Sequence, residues 1–189
     1  MLAEADLLVT SSRPSALARL DLAWPTLHAR YPRLCQVAIV GHAAPHQEIP
    51  GHDLTYLASA GLLDPPGMPR TLAADLLGAE RAASAALALL LARERGGEAG
   101  YAEVALADAA ETFAQPLRHG LTRPGGTLGG GFGGYNIYAT ARGWVALAAL
   151  EAHFWRRFRD EVGLPDPAVA DVRALFLTRT AEEWEAWGA

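Results

Sequence analysis

Three places in this chain of 189 residues set ionisable side chains among apolar neighbours. They are Gly51-His52-Asp53-Leu54-Thr55-Tyr56, Ala74-Asp75 at the head of a long helical stretch, and Ala149-Leu150-Glu151. One imidazole and two carboxylates suit proton transfer at a carbon atom. Histidine titrates near neutrality, so His52 can take or return a proton at physiological pH. Asp75 falls where a helix cap or first-turn carboxylate is ordinary. The same position lies beside free backbone N–H groups that can bind a developing oxyanion. Burial against Leu72 and Leu76 would raise its pKa toward acid/base use. Glu151 is either a first-turn carboxylate or a partner that fixes the tautomer of a catalytic histidine.

Other candidates carry less. His42 and His46 have the i,i+4 spacing of a metal pair, but Pro45 between them breaks the helix that spacing needs, so no metal site is expected. Gly129-Gly130-Gly131-Phe132-Gly133-Gly134 formally matches a dinucleotide fingerprint. An aromatic strand follows it instead of a helix, which leaves a mobile loop beside a site or a plain hinge. Cys35 is the only cysteine and sits in an apolar run, as a buried structural thiol does.

The elements that must position these groups read as follows. Leu7–Thr10 and Leu34–Val40 are short strands, the second apolar on both faces like a central parallel strand. Short helices are expected over 15–20, 25–31 and 54–62, and a loop over 41–53. A long helix runs from about Ala73 to Arg95, with a small-residue face, Arg93 and Arg95 in its last turn, and Gly96-Gly97 beyond. Residues 101–105 form a strand and 108–117 a helix. A glycine-dense loop over 118–134 leads to a hairpin at 135–138 and 144–147, then to helices near 151–162, 167–175 and 180–187. The fold class is α/β: a partial Rossmann-like parallel-sheet domain over 1–118, then a small α+β domain over 119–189. His52 thereby falls beyond the carboxyl end of a central strand, where α/β sheets place ligands.

Composition excludes several functions. The net charge is −5 with no basic stripe, so a nucleic-acid partner is not expected. All 16 basic residues are arginine, which removes the Walker lysine and every Schiff-base lysine. The longest apolar run, Ala82–Ala92, is about eleven residues and too short for a membrane span. No membrane partner is expected, and a cytoplasmic location is the default.

The words around these residues carry a family resemblance. Ser11-Ser12-Arg13-Pro14 through Leu20 is similar to an S-x-R-P-G segment, and Pro32-Arg33-Leu34 to the N-P-R-L lead into a strand ending in glycine, here Gly41. Pro50-Gly51-His52-Asp53-Leu54-Thr55-Tyr56 resembles P-G-H-D-x-N-Y, Ala74-Asp75 matches L-A-D, and Ala149-Leu150-Glu151-Ala152-His153-Phe154-Trp155 resembles A-L-E-P-x-F-[WY]. In this order they resemble the class III CoA-transferases (CaiB/BaiF type), in the branch of the alpha-methylacyl-CoA racemases.

That resemblance implies an isomerase acting by 1,1-proton transfer at the α-carbon of a 2-methyl-branched acyl-CoA. His52 and Asp75 would be the acid/base groups and Glu151 the partner of the histidine. Gly51, Tyr56, Thr71, Gly78, Gly131, Phe132 and Tyr135 would contact substrate. Phe132 and Tyr135, with Trp155, would border the acyl tail or serve as core aromatics. Coenzyme A would enter only as part of the thioester, with no separate cofactor. Two alternatives stand beside this reading: CoA transfer with Asp75 as nucleophile, and a non-catalytic member of the family. Thr55 and Thr71 replace asparagines of the racemase pattern, and Leu77 and Ala79 interrupt its glycine cluster. Family segments on both sides of this chain's match are expected to lie outside it, which implies an interlocked homodimer or a complementing chain.

Overall fold

The computed structural model describes residues 2–188. The chain divides into two compact units, Met1–Ala114 and Gln115–Ala189. The boundary read from composition, after residue 118, falls a few residues further on and stays a proposal. The α/β class holds: the first unit contains a three-stranded parallel sheet and the second a two-stranded antiparallel one.

The first unit runs β1 (Leu7–Thr10), α1 (Pro14–Arg19), α2 (Trp24–Arg30), β2 (Cys35–Val40), α3 (Asp53–Ser59), α4 (Ala73–Glu94), β3 (Tyr101–Ala105) and α5 (Leu106–Phe113). Strand β2 is central, pairing in parallel with β1 from Leu7↔Cys35 and with β3 from Gln36↔Tyr101. Cys35, Val37, Ala38 and Val40 are all buried, so both faces of β2 are covered, as its continuous apolar run requires. Helix α4 buries Ala74, Gly78, Ala82 and Ala86, spaced four apart along one face. Small residues there let the helix backbone approach the sheet, and Ala82 and Ala86 meet Val37 and Val104.

Arg93 does more than complement the helix dipole. Its guanidinium is buried, donating to Asp6 Oδ1 at 2.8 Å and to the Arg33 carbonyl at 2.7 Å. The last turn of α4 is thereby tied to the entrances of β1 and β2.

The helix expected over 108–117 is two helices. Helix α5 starts directly from β3 at Leu106 and ends at Phe113; α6 (Gln115–Arg118) opens the second unit. Pro116 has no N–H to give the carbonyl of Thr112, so one helix cannot run through. The second unit continues with a short π-type turn at Thr127–Gly131, then β4 (Tyr135–Ala139), β5 (Trp144–Ala148), α7 (Ala152–Val162), α8 (Val169–Phe176) and α9 (Ala181–Gly188). Its core is aromatic: Tyr138, Phe158, Phe176 and Trp184 are buried with Val172. Among the described residues no helix is long and apolar enough to cross a membrane.

Candidate active site

The site begins with the periodicity of α3. Asp53, Tyr56, Leu57 and Ala60 occupy i, i+3, i+4 and i+7 and are all buried, so one helical face enters the core and carries a carboxylate with it. His52 is the residue just before the helix, with extended backbone at φ −140° and ψ 165°, and it is exposed. Its N–H donates to Thr55 Oγ1 at 3.0 Å. The threonine that departs from the family asparagine therefore fixes the backbone that presents the imidazole.

Tyr56 is only 4% exposed, and two glycines make room for its ring. A Cβ added at Gly41 would lie 2.5 Å from the phenol oxygen, and one added at Gly51 would lie 2.7 Å from Cζ. The glycine of the Gly51-His52 pair thus has a packing reason that holds whatever it does for a substrate. His42 meets the Tyr56 ring edge-on at 5.3 Å between centroids.

Beyond the carboxyl ends of β1 and β2 lies a cleft of about 260 Å³, whose walls include Ser11, Arg13, Gln47, Gly51, His52 and Tyr56. This is the position at which parallel sheets leave space for ligands.

Asp75 is the third residue of α4. The residue before that helix, Leu72, has no side chain able to cap it, and the cap comes from α3 instead: the Asp75 N–H donates to Asp53 Oδ1 at 3.1 Å. The Asp75 N–H is thus taken by a carboxylate and is not itself a free donor at the head of α4. Burial raises the proton affinity of the half-buried Asp75 carboxyl, the neighbouring Asp53 carboxylate raises it further, and the His52 imidazole opposes both. Burial, and then the Asp75 charge, likewise raise the Tyr56 phenol. His52, Asp53, Tyr56 and Asp75 thus form one electrostatic group, in which His52 and Tyr56 line the cleft and Asp75 does not.

The remaining predicted residues are less gathered. Thr71 is exposed in the connector before α4. Gly78 is buried where an added Cβ would collide with Leu106 Cδ2, which assigns it a packing role between α4 and α5. Glu151, Gly131, Phe132 and Tyr135 belong to the second unit. Glu151 precedes α7 in extended conformation, exposed, and its carboxylate makes no cap to that helix. Gly131 closes the π-type turn, its N–H donating to the Gly126 carbonyl at 2.9 Å. Phe132 is half-buried, edge-on to Trp155 at 5.2 Å, and Tyr135 is exposed at the start of β4. Among the described residues no group of three His, Cys, Asp or Glu side chains could hold a metal.

Sequence reasoning gave Asp53 no role and named Thr55 only as a departure from an asparagine. The signal for Asp53 was present, since it shares the helical face of Tyr56, Leu57 and Ala60 and so had to be buried. The signal for Thr55 was its place three residues after the helix-preceding position.

Known proteins resemble this chain along nearly its whole length. The family model "CoA-transferase family III" matches residues 1–187. A probable fatty acyl-CoA transferase, Rv3272, of Mycobacterium tuberculosis (strain ATCC 25618 / H37Rv) is 28% identical over 223 residues, covering 95% of this chain and 57% of that protein. A cinnamoyl-CoA:phenyllactate CoA-transferase of Clostridium sporogenes is 40% identical over 63 residues, 32% of this chain and 15% of that one. A crystal structure of Rv3272 superposes with a TM-score of 0.78 at 28% identity, covering 98% of this chain and 58% of its own. A CAIB/BAIF family protein from Brucella suis shares the fold, with a TM-score of 0.74 at 18% identity over 99% of this chain and 58% of its own. The chain therefore spans less than two thirds of the length of these relatives.

Proposed function

The chain belongs to CoA-transferase family III, and on that premise we propose that it acts on an acyl-CoA thioester by moving a proton at the α-carbon. The observation that carries this reading is the electrostatic grouping of one imidazole, His52, with one carboxyl of raised proton affinity, Asp75. A carboxyl that holds its proton more tightly than usual is a better proton donor near neutrality and a stronger base when ionised.

In the proposed step the thioester carbonyl acidifies the α-C–H. The Asp75 carboxylate removes that proton and an enolate forms. The His52 imidazolium then delivers a proton to the opposite face. Asp75 is left protonated and His52 neutral, which are the starting states for the reverse reaction, so protons balance over a cycle. The electron pair of the C–H bond passes to the enolate oxygen and returns to carbon. Glu151 enters as the resemblance has it, as a carboxylate supporting the histidine, and a second copy of the chain or a complementing chain enters as partner. A branched acyl group is the substrate class proposed.

Two relatives, the probable fatty acyl-CoA transferase and the cinnamoyl-CoA:phenyllactate CoA-transferase, favour a second reading, in which the Asp75 carboxylate attacks the thioester carbonyl and expels CoA as thiolate. The acyl group then rests on Asp75 as an anhydride. The thiolate attacks the Asp75 carbonyl of that anhydride, releasing the donor acid and leaving CoA on Asp75 as a thioester. An acceptor carboxylate attacks this thioester and expels the thiolate, forming a second anhydride; the thiolate attacks its acyl carbonyl, which gives the new acyl-CoA and frees Asp75. A single-enantiomer 2-methylacyl-CoA separates the two. Loss of optical purity without release of CoA supports proton transfer. A hydroxylamine-labile acyl group on Asp75, with optical purity retained, supports transfer and removes the first reading.

A further inference from the structure

The carboxylate of Asp53 is an ionisable group at this site to which the proposed reaction gives no task. It is 3% exposed. Its Oδ1 accepts the Asp75 N–H, and its Oδ2 is buried with no partner among the described residues. An unpaired buried carboxylate oxygen is costly, and a helix cap does not need it: serine or asparagine would accept the same N–H without the charge. The cap is also delivered from a different helix, 22 residues earlier in the chain. Asp53 therefore joins the head of α3, which His52 precedes, to the head of α4, which carries Asp75.

We propose that Asp53 is a positioning residue for the proton-transfer pair: its buried carboxylate holds the first turn of α4 against α3 and keeps a negative charge beside the Asp75 carboxyl. The inference rests on the proton-transfer reading above. A like charge at short range disfavours ionisation of its neighbour, and after burial Asp53 is the largest influence on Asp75. The titratable groups on elements packed against α4 are Asp53 and Tyr56 of α3 with His52 before it, Cys35 of β2, Tyr101 and Glu103 of β3, and Asp108 and Glu111 of α5; Glu80, Arg81, Arg93 and Glu94 lie on α4 itself. Of these, Asp53 acts on Asp75 in one direction and His52 in the other. The unmatched oxygen is then explained: the charge is retained for its effect on Asp75.

Two substitutions separate the charge from the cap. Asp53→Asn keeps an acceptor oxygen and removes the charge, whereas Asp53→Ala removes both. The readouts are the titration of the Asp75 carboxyl carbon and the exchange of the Asp75 amide, both by NMR on the full chain. A third is the pH profile of kcat for α-proton exchange. In Asp53→Asn, Asp75 should titrate at lower pH and the acid limb of kcat should move with it, while its amide keeps native protection. In Asp53→Ala the Asp75 amide should exchange at least about tenfold faster, and kcat should fall with KM unchanged. An Asp75 that titrates at its native pH in Asp53→Asn overturns the proposal, and that variant decides alone if Asp53→Ala does not fold. If Asp75 shifts as expected but the unaltered chain never exchanges an α-proton, Asp53 positions Asp75 and the proposed reaction is wrong.

Discussion

The heads of α3 and α4 in the first unit and the aromatic core of the second unit bury polar groups on opposite terms. In the second unit the buried aromatics have their polar ends satisfied. Tyr138 donates to the Gly133 carbonyl at 2.7 Å and Trp184 Nε1 to the Phe176 carbonyl at 3.0 Å. Phe176 stacks on Tyr138 at 4.8 Å and on Phe158 at 6.1 Å. In the first unit, by contrast, Asp53 keeps an unpaired buried oxygen, and Asp75 and Tyr56 both hold their protons more tightly than usual. Satisfied aromatics stabilise a fold. A carboxyl such as Asp75, whose proton affinity burial and a neighbouring carboxylate both raise, does not, and such sites are where acid/base chemistry is found.

Substitution breaks or sharpens that contrast in a definite order of effect. His52→Ala or Asp75→Ala should lower α-proton exchange by about 10²–10⁴-fold while leaving thermal unfolding close to native, as assayed by NMR and calorimetry. Phe176→Ala should do the opposite in kind, costing the second unit about 3–5 kcal/mol in denaturant unfolding. Gly78→Ala should destabilise the first unit by about 1–3 kcal/mol, and a second change, Leu106→Ala, should recover part of that loss in a double-mutant cycle. Glu151→Gln should reduce exchange less than either catalytic substitution and leave stability unchanged, since the Glu151 carboxylate caps nothing.

The smallest effect is a matter of sign. Asp75 binds its proton more tightly folded than unfolded, so the folded chain holds the extra proton as pH rises above the ordinary carboxylate range. Stability accordingly falls with rising pH across that window. Asp75→Asn removes the penalty and should unfold at a higher temperature than the unaltered chain at pH 7. The advantage should vanish as pH falls below the unfolded aspartate value, where both states are protonated.

Much of the first unit was legible in its residues. The run Cys35–Val40 is apolar without alternation, and such a run has to be covered on both faces. The small residues at 74, 78, 82 and 86 announce a helix that packs closely. The break at Ala114 was hidden because the alanine-rich sequence before it is helical by propensity, and the single proline at 116 decides where that helix stops. In the candidate site, His52 and Asp75 were singled out from residue type and local wording. Asp53 was missed because its contribution is a contact between helices, which spacing along one helix does not display.

The central claim is that His52 and Asp75 exchange a proton with the α-carbon of an acyl-CoA. Incubating the unaltered chain with a 2-methylacyl-CoA in deuterated water and following the α-position by mass spectrometry tests it most directly. The unaltered chain should take up a single solvent deuteron, and His52→Ala and Asp75→Asn none. Deuterium uptake at the native rate in either variant, or none in the unaltered chain while it moves CoA onto a free carboxylic acid, would contradict it.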